Sequence, residues 1–203
     1  METHLLIFSL LVLIMSSVVH EYMHGWVANE LGDPTAEQMG RLTLNPLVHL
    51  DPFGSVLIPM LVFFGTGGAF VFGYAKPVPY NPFNLKDKKY GPAKVAAAGP
   101  MANFVMALLC GLTIRFLPET NQVFPFLLSW VVQINLILMV FNLIPIPPLD
   151  GSKVLSAFLP ANMQMKLMSL EKYGLFLALA VVMFAFPVIL VIVNFLFKLI
   201  VGG

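Results

Sequence analysis

The stretch Ser17-Val18-Val19-His20-Glu21-Tyr22-Met23-His24-Gly25-Trp26 decides how this chain is read. It closes an apolar run over 5–19 that carries no charge and is interrupted only by Ser9, Ser16 and Ser17. Two histidines four positions apart fall on one face of a helix, one turn from each other, with a glutamate beside the first. In this H-E-x-x-H arrangement both imidazoles can hold zinc, and the glutamate can serve as general base. The plainer reading is a helix end with a few polar groups near a membrane surface. Energy argues against it, because two imidazoles and a carboxylate at the end of a hydrophobic helix are costly without partners or a task.

Composition sets the class. Of 203 residues, 59% are hydrophobic and only 10% are charged, and mean hydropathy is +0.88. A soluble domain carries roughly 25% charged residues, so the chain reads as an integral membrane protein in contact with the lipid bilayer. The net charge of +1 suggests no nucleic-acid partner. The single cysteine, Cys110, can form no internal disulfide. Met1-Glu2-Thr3-His4 lacks the basic region of a signal peptide, and cleavage would discard the histidine motif, so 5–28 is expected to be a retained first span. At 1.5 Å per residue, His20 lies roughly 22 Å beyond Leu5 and His24 roughly 29 Å, towards the far end of that span.

Working outward, 29–51 is polar. It has a Gly32-Asp33-Pro34 turn, a strand-like alternation in Arg41-Leu42-Thr43-Leu44, and His49, which reads as a hydrogen-bonded loop histidine rather than a ligand. His4, at the terminus, is weaker still. Asp51 and Pro52 then suit the N-cap and first position of an apolar helix over 53–64, too short for an ordinary span. Gly65-Thr66-Gly67-Gly68 breaks it. The prolines of Ala75-Lys76-Pro77-Val78-Pro79-Tyr80-Asn81-Pro82 suit an edge strand or extended segment. Lys86, Lys88, Lys89 and Lys94 form the densest basic patch, and Gly91-Pro92 opens a second span over 93–117. The small residues of Ala96-Ala97-Ala98-Gly99-Pro100-Met101-Ala102-Asn103 allow close helix packing, with a polar contact from Asn103.

A third span over 124–144 carries Gln133, Asn135 and Asn142, and Pro145, Pro147 and Pro148 stop it. Asp150 follows, at the start of a short helical stretch. Asp is a common N-cap, yet two histidines need a third protein ligand, and Asp150 is the acid placed near the end of an apolar span to supply it. An amphipathic linker over 160–171 leads to a final span over 172–198, with Pro187 as an expected kink.

His20-Glu21-Tyr22-Met23-His24, Ala98-Gly99-Pro100-Met101-Ala102-Asn103 and Asn142-Leu143-Ile144-Pro145-Ile146-Pro147-Pro148-Leu149-Asp150-Gly151 together resemble the site-2 protease family of intramembrane zinc metalloproteases. The 75–82 segment resembles its compact prokaryotic branch, without the PDZ or CBS domains of other members. The resemblance implies Zn2+ held by His20, His24 and Asp150, Glu21 as general base, and Asn142 near the bound substrate. That substrate would be a transmembrane protein or peptide, cut within or near its membrane segment.

The expected fold is an all-α polytopic membrane protein, one integral-membrane metalloprotease domain over 1–203. It would have about four full spans, plus a re-entrant helix over 53–74 and a short membrane-associated β segment. Parity requires the ends of the first and third spans to share a face if both serve one metal. The basic patch marks that face as cytoplasmic in a cell membrane, with both termini outside. The competing reading is a non-proteolytic zinc-handling membrane protein or transporter. A transport path needs polar groups at several depths, whereas here only Gln133 and Asn135 lie deep, and Glu21 would have no task.

Overall fold

The apolar run contains no proline, and it folds without interruption into helix α1 (Glu2–Glu30). The chain is represented by a computed structural model that describes residues 2–65, 67, 73–116 and 123–202. After α1 come a short helix α2 (Thr35–Gln38), a 3-10 turn (Pro46–His49) and a π-helical turn (Pro52–Leu57) that runs into α3 (Ile58–Gly65). Asp51 caps that turn as its position suggests, with Oδ1 accepting from the N–H groups of Phe53 at 2.9 Å and Gly54 at 2.7 Å. Helices α4 (Gly91–Phe116), α5 (Val123–Asn142), α6 (Asp150–Ser156), α7 (Ala161–Ser169) and α8 (Gly174–Val201) complete the order. Helix α8 continues through Pro187, and α7 is a helix where the sequence suggested a linker.

Among the described residues, four stretches are long and apolar enough to cross a membrane: Thr3–Glu30, Gly91–Phe116, Val123–Asn142 and Ala161–Val201. They match the four expected spans. No strand occurs among the described residues. The 41–44 alternation does not become one, because its cation turns inward: Arg41 is buried and its Nη2 donates to the carbonyls of Lys76 at 2.9 Å and Pro77 at 3.3 Å. Residues 73–80 join no helix and no ladder. The rest of the expected β segment, 69–72, and the loop 118–122 lie outside the described residues.

The bundle is turned inside out relative to a soluble protein. On α1, Leu6, Leu10, Leu13 and Ile14 are exposed, whereas Ser16, His20 and His24 are buried. That is what hydrocarbon selects, since it gains nothing by hiding leucine and penalises every exposed polar group. Helix α4 is the hub, packing on α1, α5, α6 and α8. Its buried face is Gly91, Ala93, Val95, Ala96, Ala98, Gly99, Pro100, Asn103, Ala107 and Gly111, small residues that let neighbouring backbones approach. Ala107, Val132, Leu136, Met139, Val181, Ile189, Val193 and Ile200 fill the seam between α4, α5 and α8.

The polar crossing between α1 and α4 is tied together by one carboxylate. Asp33 is fully buried and accepts from Thr35 N–H (3.2 Å), Thr35 Oγ1 (2.5 Å), Asn81 N–H (2.5 Å) and Asn84 Nδ2 (2.8 Å). Burial alone would raise its pKa, but the hydrogen bonds from Thr35, Asn84 and Asn81 hold it below the ordinary value. Asp33→Ala should therefore lower stability by about 3 kcal/mol, because several donors lose their acceptor together. The depressed pKa means the stabilisation is present above about pH 4 and lost as pH falls through the lowered value. Thermal unfolding in detergent should show the wild type losing more stability on acidification than Asp33→Asn.

Candidate metal centre

The centre forms where α1, α4 and the first residue of α6 meet. Because His20 and His24 are four apart on α1, both rings point to the same side, with centroids 4.7 Å apart and planes at 85°. Asp150 arrives from the other end of the chain. Leu149 occupies the N-cap position of α6 and makes no side-chain cap, so the Asp150 carboxylate is not used as a cap. Its Oδ2 lies 3.0 Å from His20 Nε2 and 3.2 Å from His24 Nε2. One donor atom from each of the three residues lies within 4.8 Å of the others, and all three residues are buried.

The far side of each ring determines what the near side can be. His20 Nδ1 lies 2.6 Å from Asn103 Oδ1, and His24 Nδ1 lies 2.7 Å from the Val95 carbonyl. Both partners are oxygens that only accept, so each Nδ1 carries a proton and Nε2 of each ring is the atom turned towards Asp150. Asn103 has no freedom to flip. Its Nδ2 donates to Asn135 Oδ1 at 2.9 Å and to the Ser16 carbonyl at 3.3 Å, while Asn135 Nδ2 donates to Ser16 Oγ at 3.0 Å and the Val131 carbonyl at 2.9 Å.

With Nε2 deprotonated, the two rings and the Asp150 oxygen offer three ligand atoms that could hold one cation among them. The donor set fits zinc: ligand atoms about 2.0–2.1 Å from a tetrahedral ion lie roughly 3.3 Å apart, close to the 3.0 and 3.2 Å that separate Asp150 Oδ2 from the two Nε2 atoms. Space is kept for the ion as well. A Cβ on Gly99 would lie 2.5 Å from both Nε2 atoms, so only glycine leaves the front of the imidazoles open.

The other singled-out residues fall as follows. Glu21 is half-buried beside His20, and its Oε2 accepts the Val78 N–H at 2.9 Å. Asn142 is the last residue of α5, with Nδ2 donating to the Leu138 carbonyl at 2.9 Å and no hydrogen bond to the three-residue cluster. His49 is a structural loop residue, with Nε2 2.8 Å from the Thr43 carbonyl, and His4 is exposed. The supporting shell of Ser16, Asn103 and Asn135 was not recognised as such in the sequence. The signal was there in part: all three are polar residues inside apolar spans, which hydrocarbon tolerates only with partners.

The sequence model of Peptidase family M50 matches residues 8–124 and 118–187. YwhC of Bacillus subtilis is 36% identical over 170 residues, covering 80% of this chain and 74% of that protein. Rip2 of Mycolicibacterium smegmatis is 34% identical over 162 residues, which is 79% of this chain and 61% of its own length. Rip2 of Mycobacterium tuberculosis is 30% identical over 163 residues, again 61% of its own length. All three bear the name "Putative zinc metalloprotease". No solved structure matches the chain.

Gly99→Ala should abolish stoichiometric zinc while leaving helix content intact, as read by elemental analysis and circular dichroism on the same purified sample. Asn103→Leu should keep the metal but weaken its affinity by about 10–100-fold, since it frees the His20 ring to rotate.

Proposed function

The chain belongs to peptidase family M50 and is on that ground a multi-pass membrane zinc metalloprotease, and we propose that it hydrolyses peptide bonds within or near the transmembrane segments of membrane-protein substrates. The observation that carries this reading is the convergence of His20 Nε2, His24 Nε2 and Asp150 Oδ2 in front of Gly99, with a glutamate adjoining the first ligand. We assign His20, His24 and Asp150 to the metal, Glu21 to proton transfer and Asn142 to the substrate. The transporter alternative draws no support from the deep polar residue Asn135, which is fully buried and bonded to Asn103 and Ser16 as part of the centre's own scaffold.

When bound at these ligands, zinc supplies Lewis acidity, lowering the pKa of water towards about 7 and polarising a peptide carbonyl. The remaining work falls to the chain. Asn103 and the Val95 carbonyl hold the proton of each imidazole at Nδ1, which leaves Nε2 as the atom that can take the metal. The Glu21 carboxylate takes the proton of the attacking water and returns it to the leaving amine nitrogen. A substrate helix hides its carbonyls in its own hydrogen bonds and has to unwind before one reaches the site. We place the unwound stretch beside the 73–80 segment, which already lies against Glu21.

The finer architecture is part of the same proposal. The chain is read as one protease domain over 1–203, in a cell membrane with the centre towards the cytoplasm. The apolar helix beginning at Pro52, with the segment after it up to 74, is read as a re-entrant excursion. Asn45 and Asn84, on either side of it, then face the cytoplasm together.

Two experiments test this reading. With a single-span reporter in proteoliposomes, Ala at His20, His24 or Asp150 should remove both zinc and cleavage. Glu21→Gln and Asn142→Leu should keep zinc, the first losing turnover by at least about a hundredfold and the second losing rate less severely. Substantial turnover in Glu21→Gln sinks the mechanism, and full zinc in Asp150→Ala removes Asp150 from the metal. For topology, single cysteines at Asn45 and Asn84 in a Cys110→Ser background should both label from the cytoplasmic side with an impermeant thiol reagent. Labelling from opposite sides would make the intervening segment a span.

A further inference from the structure

Between α3 and α4 the chain lays an extended strap across α1 at the very turn that carries Glu21. The Val78 N–H donates to Glu21 Oε2 at 2.9 Å. One turn further along α1, a Cβ on Gly25 would lie 2.8 Å from Val78 Cγ1, so strap and helix are in direct contact there too. Val78 itself is buried. Its neighbours Pro77 and Pro79 have no N–H, so Val78 holds the single donor of that tripeptide. The same prolines confine Lys76 and Val78 to extended backbone.

Both ends of this strap are held by buried charged side chains outside the metal set. At one end Arg41 Nη2 donates to the carbonyls of Lys76 and Pro77, and the Lys76 N–H donates to the His49 carbonyl at 2.8 Å. At the other, Asp33 Oδ2 accepts the Asn81 N–H at 2.5 Å. A buried guanidinium and a buried carboxylate are costly to place, and both hold the backbone on either side of Val78. Holding the fold together would explain the anchors. It does not explain why the one donor between the two prolines meets the carboxylate next to His20.

We propose that the 76–81 strap is a positioning element for Glu21, with the Val78 N–H as its contact and Arg41 and Asp33 as its anchors. The claim rests on the assignment of Glu21 as base. The N–H fixes one carboxylate oxygen, which fixes the side-chain torsions and leaves the second oxygen aimed for proton transfer. A backbone donor suits this task because it cannot itself exchange a charge with the base.

Two readouts test it. The first is independent of activity: Val78 carries the only exchangeable amide between Pro77 and Pro79, so its hydrogen exchange can be followed in the metal-loaded protein. Exchange should be slow in wild type and in Glu21→Gln, which keeps an acceptor. It should accelerate at least about tenfold in Glu21→Ala and in Arg41→Gln. The second is the kcat of Val78→Pro, which removes the N–H together with the valine side chain, set against Val78→Ala, which removes the side-chain bulk and keeps the N–H. In Val78→Pro kcat should fall about ten- to hundredfold, the effect of a hydrogen bond to a charged group, with zinc content as in wild type. In Val78→Ala it should fall far less. In a Glu21→Asp background, where the shortened carboxylate withdraws from the strap, Val78→Pro should cost markedly less than in wild type.

Val78 exchange that ignores Glu21→Ala overturns the proposal. So does a Val78→Pro enzyme with kcat within about twofold of wild type, or one whose loss of rate tracks loss of zinc. If Val78→Pro does not fold, the exchange rates in Glu21→Ala and Arg41→Gln decide the matter. A wild-type protein that cleaves no reporter while its Val78 exchange still depends on Glu21 would instead count against the protease reading.

Discussion

The structure depends on one constraint: polar donors and acceptors inside an apolar bundle must satisfy one another completely. In hydrocarbon an orphaned polar group costs more than it would in a soluble protein. His20 and His24 each have two ring nitrogens to satisfy. One side is settled by Asn103 Oδ1 and the Val95 carbonyl, and the other is left facing Asp150. From that follow the proton at each Nδ1, a set of three atoms that could hold a cation, and the requirement that α4 lie close enough to α1 to lend a backbone carbonyl.

Close approach explains the composition of α4. A helix that must present a carbonyl to one histidine and an amide to another cannot carry bulky side chains on the same face. Hence the buried run of alanines and glycines, with Gly99 directly in front of the imidazoles. The large side chains are displaced outward, where lipid accepts them. Packing and chemistry therefore place the same demand on this helix. The soluble side of the molecule answers a second need with the same economy of partners. Asp33 and Arg41, the buried ions of the polar crossing, bind backbone and amide groups rather than each other, so the extended segment over α1 is fixed by hydrogen bonds instead of by a ladder.

Much of this was legible beforehand because it is local. The i, i+4 histidines, the apolar runs, the Asp51-Pro52 helix start and the proline stop after Asn142 are short-range statements. Helix geometry and the bilayer turn them into structure with little help from the rest of the chain. The strand-like reading of 41–44 failed for an equally physical reason. Alternation predicts a strand only if a neighbour pairs with it, and the adjacent segment instead supplies carbonyls to the Arg41 side chain.

The sequence by itself determined the class of protein, its spans, and the presence of two histidines and a glutamate poised on one helix turn. Each follows from periodicity or composition over a few residues. Asp150 could be named from its place after an apolar span, but only the tertiary structure brings it, 130 positions along the chain, to 3.0 Å from His20 Nε2 and 3.2 Å from His24 Nε2. The tertiary structure also decided that Asn103, Asn135 and Ser16 form one network rather than three isolated polar residues. The contact between the Val78 N–H and Glu21 lies further still from sequence reading. A backbone amide has no letter of its own, and what it meets depends on how two distant segments cross.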